Sequence, residues 1–123
     1  MTRNWLRLAL LFSVAIAGPA LADPPRGRDK FVAGDYKTAI SELGKNTGKD
    51  RPAAQILLAR AKIATGDYTG AETTLAPMAT SKDAVGAEAR IVLAGLREQI
   101  GKVDLARKDL EALYKDRPDD RAV

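Results

Sequence analysis

The residues able to do chemistry are few. The chain has no histidine and no cysteine. Without imidazole or thiolate, the Ser-His-Asp and Cys-His nucleophile systems are excluded, and so are most zinc sites. Beyond residue 22 the serines are Ser41 and Ser81. Ser41 falls in a helical pattern and Ser81 in a linker, and neither has a base near it in sequence. Asp116, Asp119 and Asp120 form a cluster that invites a cation. They lack the spacing and the closing glutamate of an EF-hand loop, and a solvated helix end accounts for them better. The glycines stand singly, so no run of backbone N–H groups cradles a phosphate. These residues predict a protein that is not an enzyme and takes no cofactor or metal. What remains for function is surface, and the elements that shape it.

The first segment is expected to be absent from the working protein. Arg3 and Arg7 precede an apolar run, Leu8 to Ala17, broken only by Ser13 and ended by Gly18 and Pro19. Ala20-Leu21-Ala22 then places small residues at −3 and −1. A basic start, an apolar stretch and an A-x-A site in that order predict a cleavable signal peptide over residues 1–22. The apolar run is about half the roughly 20 residues that span a bilayer. The arginines are not adjacent, which argues against twin-arginine export, and without cysteine no lipid anchor can be attached. The predicted mature chain, 23–123, has 18 basic and 16 acidic residues. That mild, interspersed charge reads as a solvated surface and not as a nucleic-acid track. Export without cysteine also means that no disulfide framework holds the fold. The aromatics of the mature chain are Phe31, Tyr36, Tyr68 and Tyr114. The core must therefore come from Leu, Ile, Val and Ala, which suits close-packed helices better than a sheet.

Residues 23–30, with Pro24, Pro25 and Gly27, read as an extended leader. From Phe31 onward the periodicity is helical. Ala53 to Thr65 places Ile56, Leu57, Ala59, Ile63 and Ala64 at i, i+3, i+4 and i+7 relations. Gly66 ends that run and Asp67 is placed to cap the next helix, from Tyr68 toward Ala79. Pro77 predicts a stop or kink near Ala76, because an interior proline removes a hydrogen bond. A long helix is expected over Ala84 to Ile100 and another over Val103 to Lys115, stopped by Pro118. "FVAGDYKTAISEL" (31–43) and "IATGDYTGAETTL" (63–75) repeat one turn, and Gly34, Gly66 and Gly101 recur 32 and 35 residues apart. A period near 34 with a helix–turn–helix unit is the mark of a repeat architecture.

On these residues the chain resembles the tetratricopeptide repeat family. The second unit supplies Leu58-Ala59, Gly66, Tyr68, Ala71, Leu75 and Met78. The third supplies Leu93-Ala94, Gly101, Val103, Ala106, Leu110, Leu113 and Pro118. The first supplies Gly34, Tyr36, Ala39 and Leu43, with a short first helix over Arg28 to Ala33. The resemblance implies an all-α fold over residues 31–118, an α-α superhelix of about two and a half antiparallel hairpins. Residues 119–123 would be a tail or the start of a further helix. In such hairpins Ala59 and Ala94 allow close helix crossing, Ala39, Ala71 and Ala106 are the reciprocal contacts, and Tyr36 and Tyr68 fill gaps between units. The chain departs from the pattern where Gln55, Arg90, Lys62 and Arg97 replace large first-helix aromatics. Those replacements are expected to thin the core or to be covered by a partner. No polar capping helix closes the array, so the last helix is expected either to continue a longer architecture or to pair with another molecule.

The resemblance also implies a groove lined by first helices. Its positions are Ile56, Arg60 and Ile63 from the second unit, and Ile91, Gly95, Glu98 and Gln99 from the third. The isoleucines would anchor an apolar segment there, or be buried by an adjoining helix; both readings stand at this point. Arg60 is suited to a carboxylate. The Lys and Asn with which some members clamp a C-terminal carboxylate are absent at Ile56, Arg60, Ile91 and Gly95. The expected function is a protein–protein interaction module, an adaptor or scaffold of the bacterial cell envelope, periplasmic or secreted. Its partner would be an envelope protein or peptide. The alternatives are a periplasmic binder of cell-wall or polysaccharide fragments, and a structural remnant with no partner.

Overall fold

The structure is a computed structural model that describes residues 23–116. The predicted signal peptide (1–22), Pro118, the tail (119–123) and with it Asp119 and Asp120 lie outside the described residues. Among the described residues the chain is all-helical, with no strand. Helix α1 spans Arg28–Val32, α2 Tyr36–Leu43, α3 Arg51–Ala64, α4 Tyr68–Leu75, α5 Ala84–Gln99 and α6 Val103–Asp116. Short 3₁₀ turns lie at Gly48–Asp50 and Met78–Thr80.

The repeated glycines make one turn three times. Gly34, Gly66 and Gly101 have φ of +82°, +86° and +86°. In each, the residue after glycine donates its N–H five residues back: Asp35 to Lys30 at 2.9 Å, Asp67 to Lys62 at 2.8 Å, Lys102 to Arg97 at 2.7 Å. The glycine itself donates three residues back, so orphan carbonyls at the helix end are satisfied while the chain reverses. A left-handed φ is costly for any residue with a Cβ. The aspartate of Gly-Asp-Tyr then starts the next helix. Asp35 Oδ1 accepts from Thr38 N at 3.2 Å, and Asp67 Oδ1 accepts from Gly70 N at 3.0 Å. Helix α4 ends at Leu75, just before Pro77, which leads into the second 3₁₀ turn.

Each helix packs on the one before it, and α3 also packs on α1, and α5 on α3. Helices α5 and α6 are antiparallel: Arg90 meets Asp116 and Arg97 meets Asp109, so one number rises by seven as the other falls by seven. The core has two parts. Ala39, Leu43, Ala54 and Leu58 join α2 to α3. Ala59, Ala71, Leu75, Ala89, Leu93 and Leu96 join α3, α4 and α5. Alanine supplies half of the buried residues of each, which lets helix axes approach toward the short end of the usual 8–10 Å. Gly86 has a separate steric role. A Cβ there would lie 1.9 Å from the Ser81 carbonyl oxygen, so the connection from the 3₁₀ turn can cross the start of α5.

The leader is shorter than the expected 23–30. Arg26 and Gly27 already turn, and α1 begins at Arg28. The cause is Asn46, the buried polar residue at the end of the α2 connection. Its Oδ1 accepts from Arg26 N at 2.9 Å and its Nδ2 donates to Arg26 O at 2.9 Å, clamping the leader like a strand partner. Glu42 also pairs with Arg26, which holds its carboxyl below the usual carboxylate range.

Candidate functional site

Helices α3 and α5 lie side by side and share an outer face. On α5 that face carries Ala84, Glu88, Ile91, Gly95, Glu98 and Gln99, all exposed, at helical spacing. On α3 it carries Ala53, Arg60 and Ala64, with Leu57 half-buried. Arg60 NH2 donates to Glu88 Oε1 at 3.1 Å across the two helices, so the expected carboxylate-binding cation already holds an internal partner. At the edge, Gln99 Nε2 donates to the Tyr68 hydroxyl at 3.2 Å.

Of the expected groove residues, Arg60, Ile91, Gly95, Glu98 and Gln99 are on this face. Ile56 is not: only 3 % of it is exposed. Ile63 is half-buried and packs against the cluster shared with α5. Both isoleucines lie on the side of α3 that carries Ala59 and faces α5. Of the two readings open for these isoleucines, Ile56 and Ile63 take the core one, and Leu57, half-buried, packs against the α2–α3 cluster. The 35-residue period carried Ile91 onto Ile56 correctly in register. It missed that α3 is followed by another hairpin whereas α5 has α6 as the last described helix.

Gly95 stands out on chemical grounds. It lies mid-helix, where glycine costs about 0.5–1 kcal/mol relative to alanine. Nothing lies within 4 Å of where its Cβ would be. By contrast a Cβ at Gly70 would strike the capping Asp67 carboxylate, and one at Gly86 would strike Ser81. Internal packing thus explains those two and not Gly95, which leaves bare backbone between Ile91 and Glu98.

A second, opposite region is polar and was expected to be thin. A cleft of about 350 Å³ lies between the second 3₁₀ turn, α5 and α6. Arg97 crosses it, donating Nε to Glu72 at 3.2 Å and NH1 to Asp109 at 2.6 Å. Burial works against the Arg97 charge, but Asp109 and then Glu72 outweigh it and raise its pKa. Glu72 also accepts from Lys102 Nζ at 3.1 Å. Lys102 foremost, with Arg97, holds the Glu72 carboxyl below its usual range against its partial burial. Arg90 donates Nε to the Ala79 carbonyl at 2.6 Å and NH1 to Asp116 at 2.9 Å, and Asp116 is lowered by that contact. Lys62 donates to Thr74 at 3.2 Å. Three of the four residues that replace aromatics, Lys62, Arg90 and Arg97, therefore fill the seams with ion pairs and hydrogen bonds. Both guanidiniums are engaged twice, so the cleft is a structural joint. Glu72 and Asp109, which complete it, carry no sequence signal beyond their charge.

Comparison with protein-family models, curated proteins and solved structures finds no match for this chain. The reading of its function rests on its own residues. Among the described residues no helix is long and apolar enough to cross a membrane.

Proposed function

We propose that this chain is a non-catalytic protein–protein interaction module built from tetratricopeptide-type hairpins. It would be exported by the segment 1–22 to the bacterial cell envelope and bind an envelope protein or peptide on the α3–α5 face. Support for the repeat reading comes from one turn geometry used three times and from the packing of α3 on α1 and α5 on α3 as well as on their own partners. Support for the binding face comes chiefly from Gly95, an exposed mid-helix glycine that no internal contact requires. Bare backbone beside Ile91 admits a partner's main chain closely, and Glu88, Glu98 and Arg60 add charge to the face. The glycan-binding alternative is less well supported. A sugar site wants several open aromatic platforms, whereas of the three tyrosines Tyr114 alone is open: Tyr36 stacks edge-on with Phe31 at 5.7 Å and Tyr68 packs on the core.

The test pairs stability with binding. Gly95→Ala is expected to raise the stability of α5 by about 0.5–1 kcal/mol, read by urea denaturation. The same change, and more strongly Gly95→Leu and Arg60→Glu, is expected to reduce retention of envelope proteins on a column of residues 23–123. Unchanged retention by all three folded variants would overturn the assignment of this face. Heat on titration with glycan fragments would favour the alternative.

A further inference from the structure

We infer that the last described hairpin, α5 and α6, presents a self-association surface that takes a second copy of this chain face to face.

The apolar exposure is concentrated there. Val103 is 50 % exposed, Tyr114 60 % and Ile91 38 %. Val103, Arg107, Leu110 and Tyr114 follow at i, i+4, i+7 and i+11 on α6, and Ile91 and Glu98 are seven apart on α5, so they form adjoining stripes. One hairpin earlier the corresponding surface is covered. Ile56 and Ile63 occupy on α3 the places of Ile91 and Glu98, and α5 packs over that side. Tyr68 and Leu75 occupy on α4 the places of Val103 and Leu110, and they too pack into the α5 cluster. Among the described residues no helix does this for α5 and α6.

Charge selects the occupant. Glu98 and Arg107 are exposed, and neither forms a salt bridge among the described residues. The register of the hairpin, fixed by Arg90–Asp116 and Arg97–Asp109, puts Glu98 level with Arg107 and Ile91 level with Tyr114. A two-fold axis parallel to the helices lays α5 of one copy on α6 of the other at the same level. It brings Ile91 onto the second copy's Tyr114 and Glu98 onto the second copy's Arg107, each contact occurring twice. Among the described residues a head-to-tail contact finds little apolar surface at the other end of the stack. Helix α1 has only five residues, its large exposed apolar side chain is Val32, and the Arg26–Asn46 clamp closes that end.

The size of the face sets the strength. Two helices of this length side by side present roughly 450 Å². Two such faces bury about 900 Å², below the usual 1,600 Å², which places the dimer among weak, reversible associations.

Sedimentation equilibrium on residues 23–123, from about 10 μM to 1 mM, tests this independently of any envelope partner. The wild type is expected to move from monomer toward dimer. Ile91→Glu abolishes the shift, and Leu105→Glu, on the far side of α6, leaves it in place. Glu98→Arg alone weakens association about tenfold, and Glu98→Arg with Arg107→Glu restores it to within about threefold. A wild type that stays monomeric to 1 mM overturns the proposal, as does a double swap that fails to restore association in folded protein.

Discussion

The turn at Gly66-Asp67 and the turn at Gly101-Lys102 have the same backbone and opposite side-chain chemistry. At the first, Asp67 caps α4 from within its own hairpin. At the second, lysine cannot accept from the helix N–H groups and instead reaches back to Glu72 on α4. The difference extends into the packing. The seam between α2 and α3 is apolar, built on Ala39, Leu43, Ala54 and Leu58. The seam joining α4, α5 and α6 contains Glu72, Arg97, Lys102, Asp109, Arg90 and Asp116. The same backbone device therefore sits beside two kinds of joint, one held by burial alone, the other by burial with charge added between hairpins.

Core truncation probes the apolar joint most strongly. Leu43 is fully buried, and Leu43→Ala should cost about 3 kcal/mol in chemical denaturation. The charged joint should respond next. Arg97→Ala leaves Glu72 and Asp109 without their shared cation and should cost about 2 kcal/mol, discounted from the buried-pair range for its partial exposure. Arg97→Met, which refills the space without the charge, should recover part of that; equal losses for the two variants would mean that pairing and not packing holds the seam.

Acid separates the joints by direction. The Glu72 carboxyl is lowered in the fold from its ordinary 4.5, chiefly by Lys102. The folded state therefore binds that proton less readily than the unfolded chain. The resulting stabilisation is full above 4.5 and is lost as pH falls from there through the lower folded value. Asp116, lowered by Arg90, adds loss below its ordinary 3.8. Melting temperature followed from pH 7 downward, to about pH 3, should drop less steeply in Glu72→Gln than in wild type. Parallel curves would remove Glu72 from the joint.

The smallest contrast is at the turns. Asp67→Ala should cost about 1 kcal/mol through the lost cap. Lys102→Ala, whose ion pair is half-exposed, should cost only about 0.3 kcal/mol at low salt and nothing measurable at 1 M salt.

Much of the helical order was legible in the sequence because its signals are local. Gly66 with Asp67, the Pro77 stop and the 3.6-residue spacing of Leu93 and Leu96 each act within a few residues. The ion-pair seam was not legible. Arg97 meets Asp109 and Glu72 only once three helices are in place, and its pattern reads as a missing aromatic. The clamp of the leader by Asn46 is likewise twenty residues distant, and nothing near Asn46 announces it. The face was half legible for a related reason. Periodicity gives the angular position of Ile56 and Ile91 equally, but which of them a neighbour covers depends on their place in the stack.

Helix α6 buries Ala106 and Leu113, against six buried positions on α5. Its ties near its middle and at its end, Asp109 and Asp116, are side-chain ion pairs. A segment secured in this way can detach while the α3–α5 core stays closed, so its amide protons should exchange with deuterium through a partial opening of lower free energy than global unfolding. Because added salt weakens those ties and leaves the leucine core intact, it should speed exchange in α6 and leave α3 unaffected.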